Sequence, residues 1–339
     1  MSEKMNRVLF LFVLLVSCSF VFPKAKRTAP EWVLNFKSVY PSEKYIGYVS
    51  SARTEDEAKE KSLGLISNYF NTSIQSVSNS NSVLIEANFN DDSSWYKKNT
   101  MNRTVTVKSD ANLFGVEYNF YFSEGENLYY CAAFIDRALC APLILQRMEK
   151  NKKNFTDFYM LGQKSEKNDC MTAMRYYAKA SSFASEYLSL AEYISLIAPE
   201  VKISKDDVEK MAGVSSRISQ LAQSSSINIY ATGDSNAVLK TTVENLFLNE
   251  GFILKDFGET AGYLMRIEIE RNIVADGEVF IATPRMAVVI SSADGNVFSY
   301  SKTFERLKAF KESTLHKHIE TKLSDELKKS LIKEFYESI

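Results

Sequence analysis

The chain has 339 residues, 45% of them hydrophobic and 24% charged, which is ordinary globular usage and a comfortable length for two domains. Lys plus Arg number 41 against 42 Asp plus Glu, so the formal charge of -1 leaves no basic field to draw nucleic acid. The two histidines, His316 and His318, diverge by about 200° on a helix and cannot chelate one metal from a single face, so neither a metal nor a cofactor is expected.

The first stretch is Lys4-Met-Asn-Arg7 followed by the apolar run Val8 to Val16. That run falls far short of the roughly 20 residues that span a bilayer as a helix. It reads as a signal peptide. Leu15-Val16-Ser17-Cys18 resembles the bacterial lipobox, in which the cysteine sulfur takes a diacylglycerol before cleavage. The resemblance implies a signal peptide over residues 1–17, an acylated Cys18 of the palmitate type, and a tether over 18–30. A partner membrane follows from it, and Ser19 is compatible with outer-membrane sorting, on the periplasmic face or the surface, ahead of the inner membrane. Ser17-x-Ser19 also fits ordinary secretion without lipid. Beyond Cys18 there are three cysteines, Cys131, Cys140 and Cys170, at unrelated spacings. They read as buried free thiols, with one bridge between two of them left open.

Ordered structure is expected from Pro30-Glu31-Trp32-Val33. Tyr45 to Val49 reads as a strand, and Thr54-Glu55-Asp56-Glu57 is a capping box that opens a helix. Ala58, Ser62, Leu65, Ile66 and Tyr69 fall at helical spacing and predict its buried face. Thr72 to Ser78 and Val83 to Phe89 alternate and predict strands, and Asn90 to Asn102 predicts a loop. Arg103 to Lys108 and Gly115 to Phe122 alternate again. Leu128 to Ile135 is a nearly continuous apolar run, expected of a central strand. Asp136 then caps a helix to about Lys153, with Pro142 in its early turns.

Pro30-Glu31-Trp32-Val33, Tyr45-Ile46-Gly47-Tyr48-Val49, the helix from Glu55, and Tyr129-Tyr130-Cys131-Ala132-Ala133-Phe134-Ile135-Asp136-Arg137 together resemble the LPP-twenty lipoprotein domain. The resemblance covers about residues 30–150. That family shares its α/β fold with the N-terminal module of the flagellar T protein, which helps build a periplasmic ring, so envelope or flagellar assembly partners are implied. It supplies no catalytic residues.

From Phe155 to Ile197 the periodicity is helical. Met171, Met174, Tyr177, Ala178 and Ser181 predict one helix, Tyr187, Leu190, Ala191, Ile194 and Ile197 a second, and Pro199 stops the pair. The stretch 169–198 is similar to one tetratricopeptide-like hairpin. Ser204-Lys205-Asp206-Asp207 opens a helix carrying Val208, Met211, Ile218, Leu221 and Ala222. Ser224 to Ser226 marks a boundary.

Ile227 to Ala231 then predicts a strand, Asp234 or Ser235 caps a helix through Phe247, and Gly251 ends it. Phe252 to Leu254 reads as a strand. Met265, Ile267 and Ile269 alternate with charged neighbours, and Asp294-Gly295 joins Met286 to Ser291 and Val297 to Phe304 as a hairpin. Leu315, Ile319, Leu323, Leu327, Leu331 and Phe335 predict a long amphipathic helix. The expected fold is α+β: two α/β sandwich-like domains, 31–153 and 225–339, with helices on mainly antiparallel sheets and a helical connector over 154–224.

Gly233-Asp234-Ser235 is similar to the opening block of GDS-type esterases, whose serine is a nucleophile. Those enzymes need an Asp three residues before a late histidine. Ser313 and Leu315 stand there instead, so a helix cap is the simpler reading. The expectation is a non-catalytic, lipid-anchored envelope scaffold without nucleic acid, cofactor or metal. The alternatives are an envelope hydrolase using Ser235 and an apolar-ligand carrier between sheet and helix.

Overall fold

The computed structural model describes residues 28–80, 115–256 and 258–339, and the side chains of all these except 74–80. The expected signal peptide, Cys18 and the expected tether as far as residue 27 lie outside the described residues, as do the expected strands 83–89 and 103–108 and the loop 90–102. The fold is α+β.

The first module opens with two short helices, α1 (Glu31–Leu34) and α2 (Phe36–Val39). Strand β1 (Tyr45–Ala52), helix α3 (Glu55–Ser80), β2 (Val116–Ser123) and β3 (Leu128–Asp136) follow. The sheet is antiparallel in the order β1-β3-β2, so the continuous apolar run occupies the centre, as its pattern requires. Even-numbered residues of β1 face α3: Ile46 joins Ile66 and Phe70, and the Ser50 hydroxyl meets that of Ser62. Odd-numbered residues face α1 and α2, where Tyr45 and Val49 join Trp32, Tyr40 and Phe134. Thr54 accepts a hydrogen bond from Glu57 N, as the capping pattern predicts.

Two expectations fail here. Residues 72–78 continue α3, because helical spacing from Ala58 through Ser62, Ile66 and Phe70 outweighs an alternation resting on Ile74 alone. Leu65 is exposed, since it sits about 100° around the helix from the inward line through Ile66.

Asp136 accepts from Ala138 N and Leu139 N and caps α4 (Arg137–Ser165), with Pro142 inside the early turns. That helix pairs with α5 (Cys170–Ile197), capped by Asp169. Thus 170–197 is one helix rather than the expected hairpin, and its partner is α4. No glycine or proline interrupts the stretch Ser181 to Tyr187, and the Ser182 hydroxyl bonds back to Lys179 O within the helix. The helix expected over 205–222 is instead two, α6 (Lys205–Ala212) and α7 (Val214–Ser224), separated at Gly213. Ser204 caps α6 through Asp207 N.

The second module contains β4 (Ser226–Thr232), α8 (Val238–Asn249), β5 (Ile253–Lys255), β6 (Tyr263–Glu270), β9 (Arg285–Ser292) and β10 (Gly295–Thr303). Its five-stranded sheet runs β10-β9-β6-β4-β5, with β4 parallel to β5 and β6 and the rest antiparallel. Strand β6 alternates buried and exposed residues as its sequence predicts. Between β6 and β9 the chain forms β7 (Ile273–Asp276) and β8 (Val279–Ala282), which build an unforeseen small sheet with β11 (Leu307–Ala309). Helix α9 (Glu312–Glu326), a π turn over Leu327–Leu331 and α10 (Ile332–Glu337) complete the long amphipathic helix.

Helix α5 joins the two modules as a spine. The Tyr193 ring stacks on Phe70 of α3 with centroids 4.4 Å apart. At the other end, buried Arg175 donates to Phe335 O, Val297 O and Ser338 O. One contiguous apolar core therefore runs from Ile46 to Tyr336.

Candidate functional site

The sequence offers one nucleophile candidate, Ser235, and the fold places it in a turn between β4 and α8. Gly233 is required there: its φ is +78°, and an added Cβ would lie 2.4 Å from Ile269 O on β6. Asp234 supplies the helix cap, its Oδ2 accepting from Leu239 N at 3.0 Å and Lys240 N at 2.8 Å. The expected cap thus falls on Asp234, and Ser235 is left for another contact.

That contact is Arg271, in the connection from β6 to β7. Its Nη2 donates to Ser235 Oγ at 3.2 Å, Gly233 O at 3.0 Å and Glu320 Oε1 at 3.2 Å. Its Nη1 lies 2.6 Å from His316 Nδ1. A guanidinium only donates, so Nδ1 must be the acceptor and the imidazole carries its proton on Nε2. Asn236 Nδ2 also reaches Glu320 Oε1, at 3.0 Å. Five side chains from a turn, a strand connection and α9 therefore converge.

The convergence lacks the order of a hydrolytic triad. Activating a serine needs an imidazole or other base at the hydroxyl. Here the hydroxyl oxygen accepts from a guanidinium that has no lone pair to take its proton. The imidazole lies on the far side of that guanidinium, and His318 is exposed on α9. What the cluster does chemically is fasten: one cation ties the β4–α8 turn to α9. Sequence reasoning missed Arg271 and Glu320, because nothing in spacing marks partners 36 and 49 residues apart.

Among the described residues, no group of three or more His, Cys, Asp or Glu gathers as metal ligands. Cys131, Cys140 and Cys170 form no disulfide among the described residues. Burial pushes the Cys140 thiol up to about 11, with the Asp136 charge adding to it, and raises Cys131 as well. Both are poor nucleophiles in the folded chain. Between the first sheet and α3, the side chains of Ile46, Ile66, Phe70 and Ile135 are buried and pack together.

A cleft of about 910 Å³ opens where the first module meets the end of α5, lined by Lys44, Arg137, Pro142, Pro199 and Glu200 among others. Arg137 bridges it, donating to Leu196 O, to Ile197 O at 2.9 Å and to Ser42 O at 3.1 Å. These bonds satisfy carbonyls that the end of α5 would otherwise leave open. No helix among the described residues is long and apolar enough to cross a membrane.

No family model matches the chain, and no curated protein matches it. Among solved structures it is similar to the secreted protein HP1454 from Helicobacter pylori, at 15% identity and a TM-score of 0.39, covering 83% of this chain and 93% of that one. It is also similar to the rare lipoprotein B from Shewanella oneidensis, at 10% identity and a TM-score of 0.23, over 32% of this chain and 94% of that one. Lipoprotein GNA1162 from Neisseria meningitidis matches at 9% identity and a TM-score of 0.22, over 31% of this chain and 99% of that one.

Proposed function

We propose that this chain is a non-catalytic accessory protein of the bacterial cell envelope, held on a membrane by lipid on Cys18 and serving as a scaffold for an envelope or flagellar assembly. Its address is read from Lys4 to Cys18, where two basic residues, a short apolar run and a lipobox-like end stand together. Two acyl chains give stable anchoring where one gives marginal anchoring, so a diacylated Cys18 suffices. Ser19 supports the outer membrane as the destination.

The observation that carries the non-catalytic part is the wiring of Ser235. Its hydroxyl is held by Arg271, and the nearby imidazole accepts from that same guanidinium. The arrangement supports a structural latch over a hydrolase. A body joined along α5 by one continuous core also suits a protein that presents fixed surfaces to partners.

The test is fractionation of cells expressing the chain and its Cys18→Ala variant, with intact mass of the extracted protein. Membrane association with a mass increment of a diacylglycerol, both lost in the variant, is the expected result. Unchanged fractionation of the variant would sink the anchor. Turnover of an activated ester that disappears in Ser235→Ala would sink the non-catalytic reading.

A further inference from the structure

Sheet edges are templates for pairing with another chain, and folded proteins guard them with charges, proline, bulges or short length. Most edges here are guarded. Strand β10 has a register shift between Asn296 and Phe298 and carries Lys302, while β5 and β11 are three residues each. Strand β2 carries Glu117, and β7 is four residues ending in Asp276.

Strand β1 has none of these devices. Its eight residues, Tyr45 to Ala52, include no charge and no proline, and they pair with β3 without a shift in register. Among the described residues β1 pairs on one side only, and six of its eight residues, all but Ile46 and Ala52, are half-buried rather than covered. Its flanks are apolar on both faces. On one side Phe36 of α2 comes so close that a Cβ on Gly47 would meet it at 2.9 Å. On the other, Tyr48 lies against Tyr69 of α3 with centroids 6.4 Å apart.

A strand added at this edge would be covered on both faces, so it must be uncharged and apolar on both. Among the described residues, one strand that meets the description and pairs on one side only is β1 itself, with Tyr45 and Val49 on one face and Ile46 and Tyr48 on the other. We propose that two copies of this chain associate through antiparallel pairing of their β1 edges, joining the two first-module sheets into one. Antiparallel self-pairing is isologous, so the assembly closes as a two-fold dimer and does not grow into a filament. The pairing does not depend on the lipid.

The test uses sedimentation of the full chain carrying Cys18→Ser, with Ser51→Lys to place a guard on the β1 edge and Ser299→Lys as the same change on β10. Self-association that Ser51→Lys weakens by at least about tenfold while Ser299→Lys leaves it intact is the expected result. In parallel, p-benzoylphenylalanine in place of Ser51 should link two copies in intact cells. A chain that stays monomeric, or a dimer that Ser51→Lys leaves intact, would overturn the proposal. Crosslinking from position 51 only to a different protein would overturn it too, and would decide the matter if Ser51→Lys failed to fold.

Discussion

Glu166 shows how single side chains hold this molecule. Its carboxylate accepts from Arg217 Nε at 2.8 Å, from Arg217 Nη2 and from the Tyr177 hydroxyl. Arg217 above all, with Tyr177, holds the carboxyl below its ordinary range against the opposing effect of burial. A depressed carboxylate contributes stability that is present above the unfolded pKa and is lost as pH falls through the folded one. Glu166→Gln is therefore expected to lower stability by about 2 kcal/mol near neutral pH, with the gap from the parent closing below about pH 4. Urea unfolding at both pH values measures it, and a gap that persists in acid would contradict it. The thiols give a second check. Cys131 and Cys140 should resist alkylation in the folded chain and react on unfolding, as read by mass spectrometry; rapid labelling of either without unfolding would contradict the burial that raises them.

At the scale of elements, the α4–α5 pairing depends on close approach. An added Cβ on Gly162 would lie 2.7 Å from the Tyr177 ring, which is itself buried. Gly162→Ala is expected to cost about 1–3 kcal/mol through overpacking, despite alanine's better helix propensity. A variant as stable as the parent would mean the ring moves aside freely. Much of the element order was legible in the sequence, because periodicity and caps act locally: Asp136, Ser204 and Gly251 all start or stop helices in the structure. The small third sheet carried a signal that went unread. Asp276-Gly277 between Ile273-Val274 and Val279-Phe280 is the same hairpin sign as Asp294-Gly295, and Gly277 has a φ of +62°. The latch around Ser235 was not legible. Arg271 is recruited by three-dimensional proximity, and a lone arginine after a strand looks like solvated charge until α9 is seen beside it.

For the whole molecule, α5 makes the modules interdependent. Phe70 meets Tyr193 near one end and Arg175 binds the last turns of the chain near the other. Removing the buried guanidinium by Arg175→Ala leaves carbonyls of Val297, Phe335 and Ser338 without that partner, at an expected cost of about 3 kcal/mol. Because the core is continuous, unfolding of the parent should be a single transition by both tyrosine fluorescence and circular dichroism. Two separated transitions would contradict the spine. The proposal of a lipid-anchored, non-catalytic envelope scaffold stands or falls on the neighbours of this chain in the cell. The measurement is crosslinking in intact cells, followed by detergent extraction and mass-spectrometric identification of attached proteins, with Cys18→Ala alongside. Reproducible attachment to defined envelope components, lost or redistributed in the variant, is the expected result. A membrane-bound chain that attaches to no protein above background would contradict it.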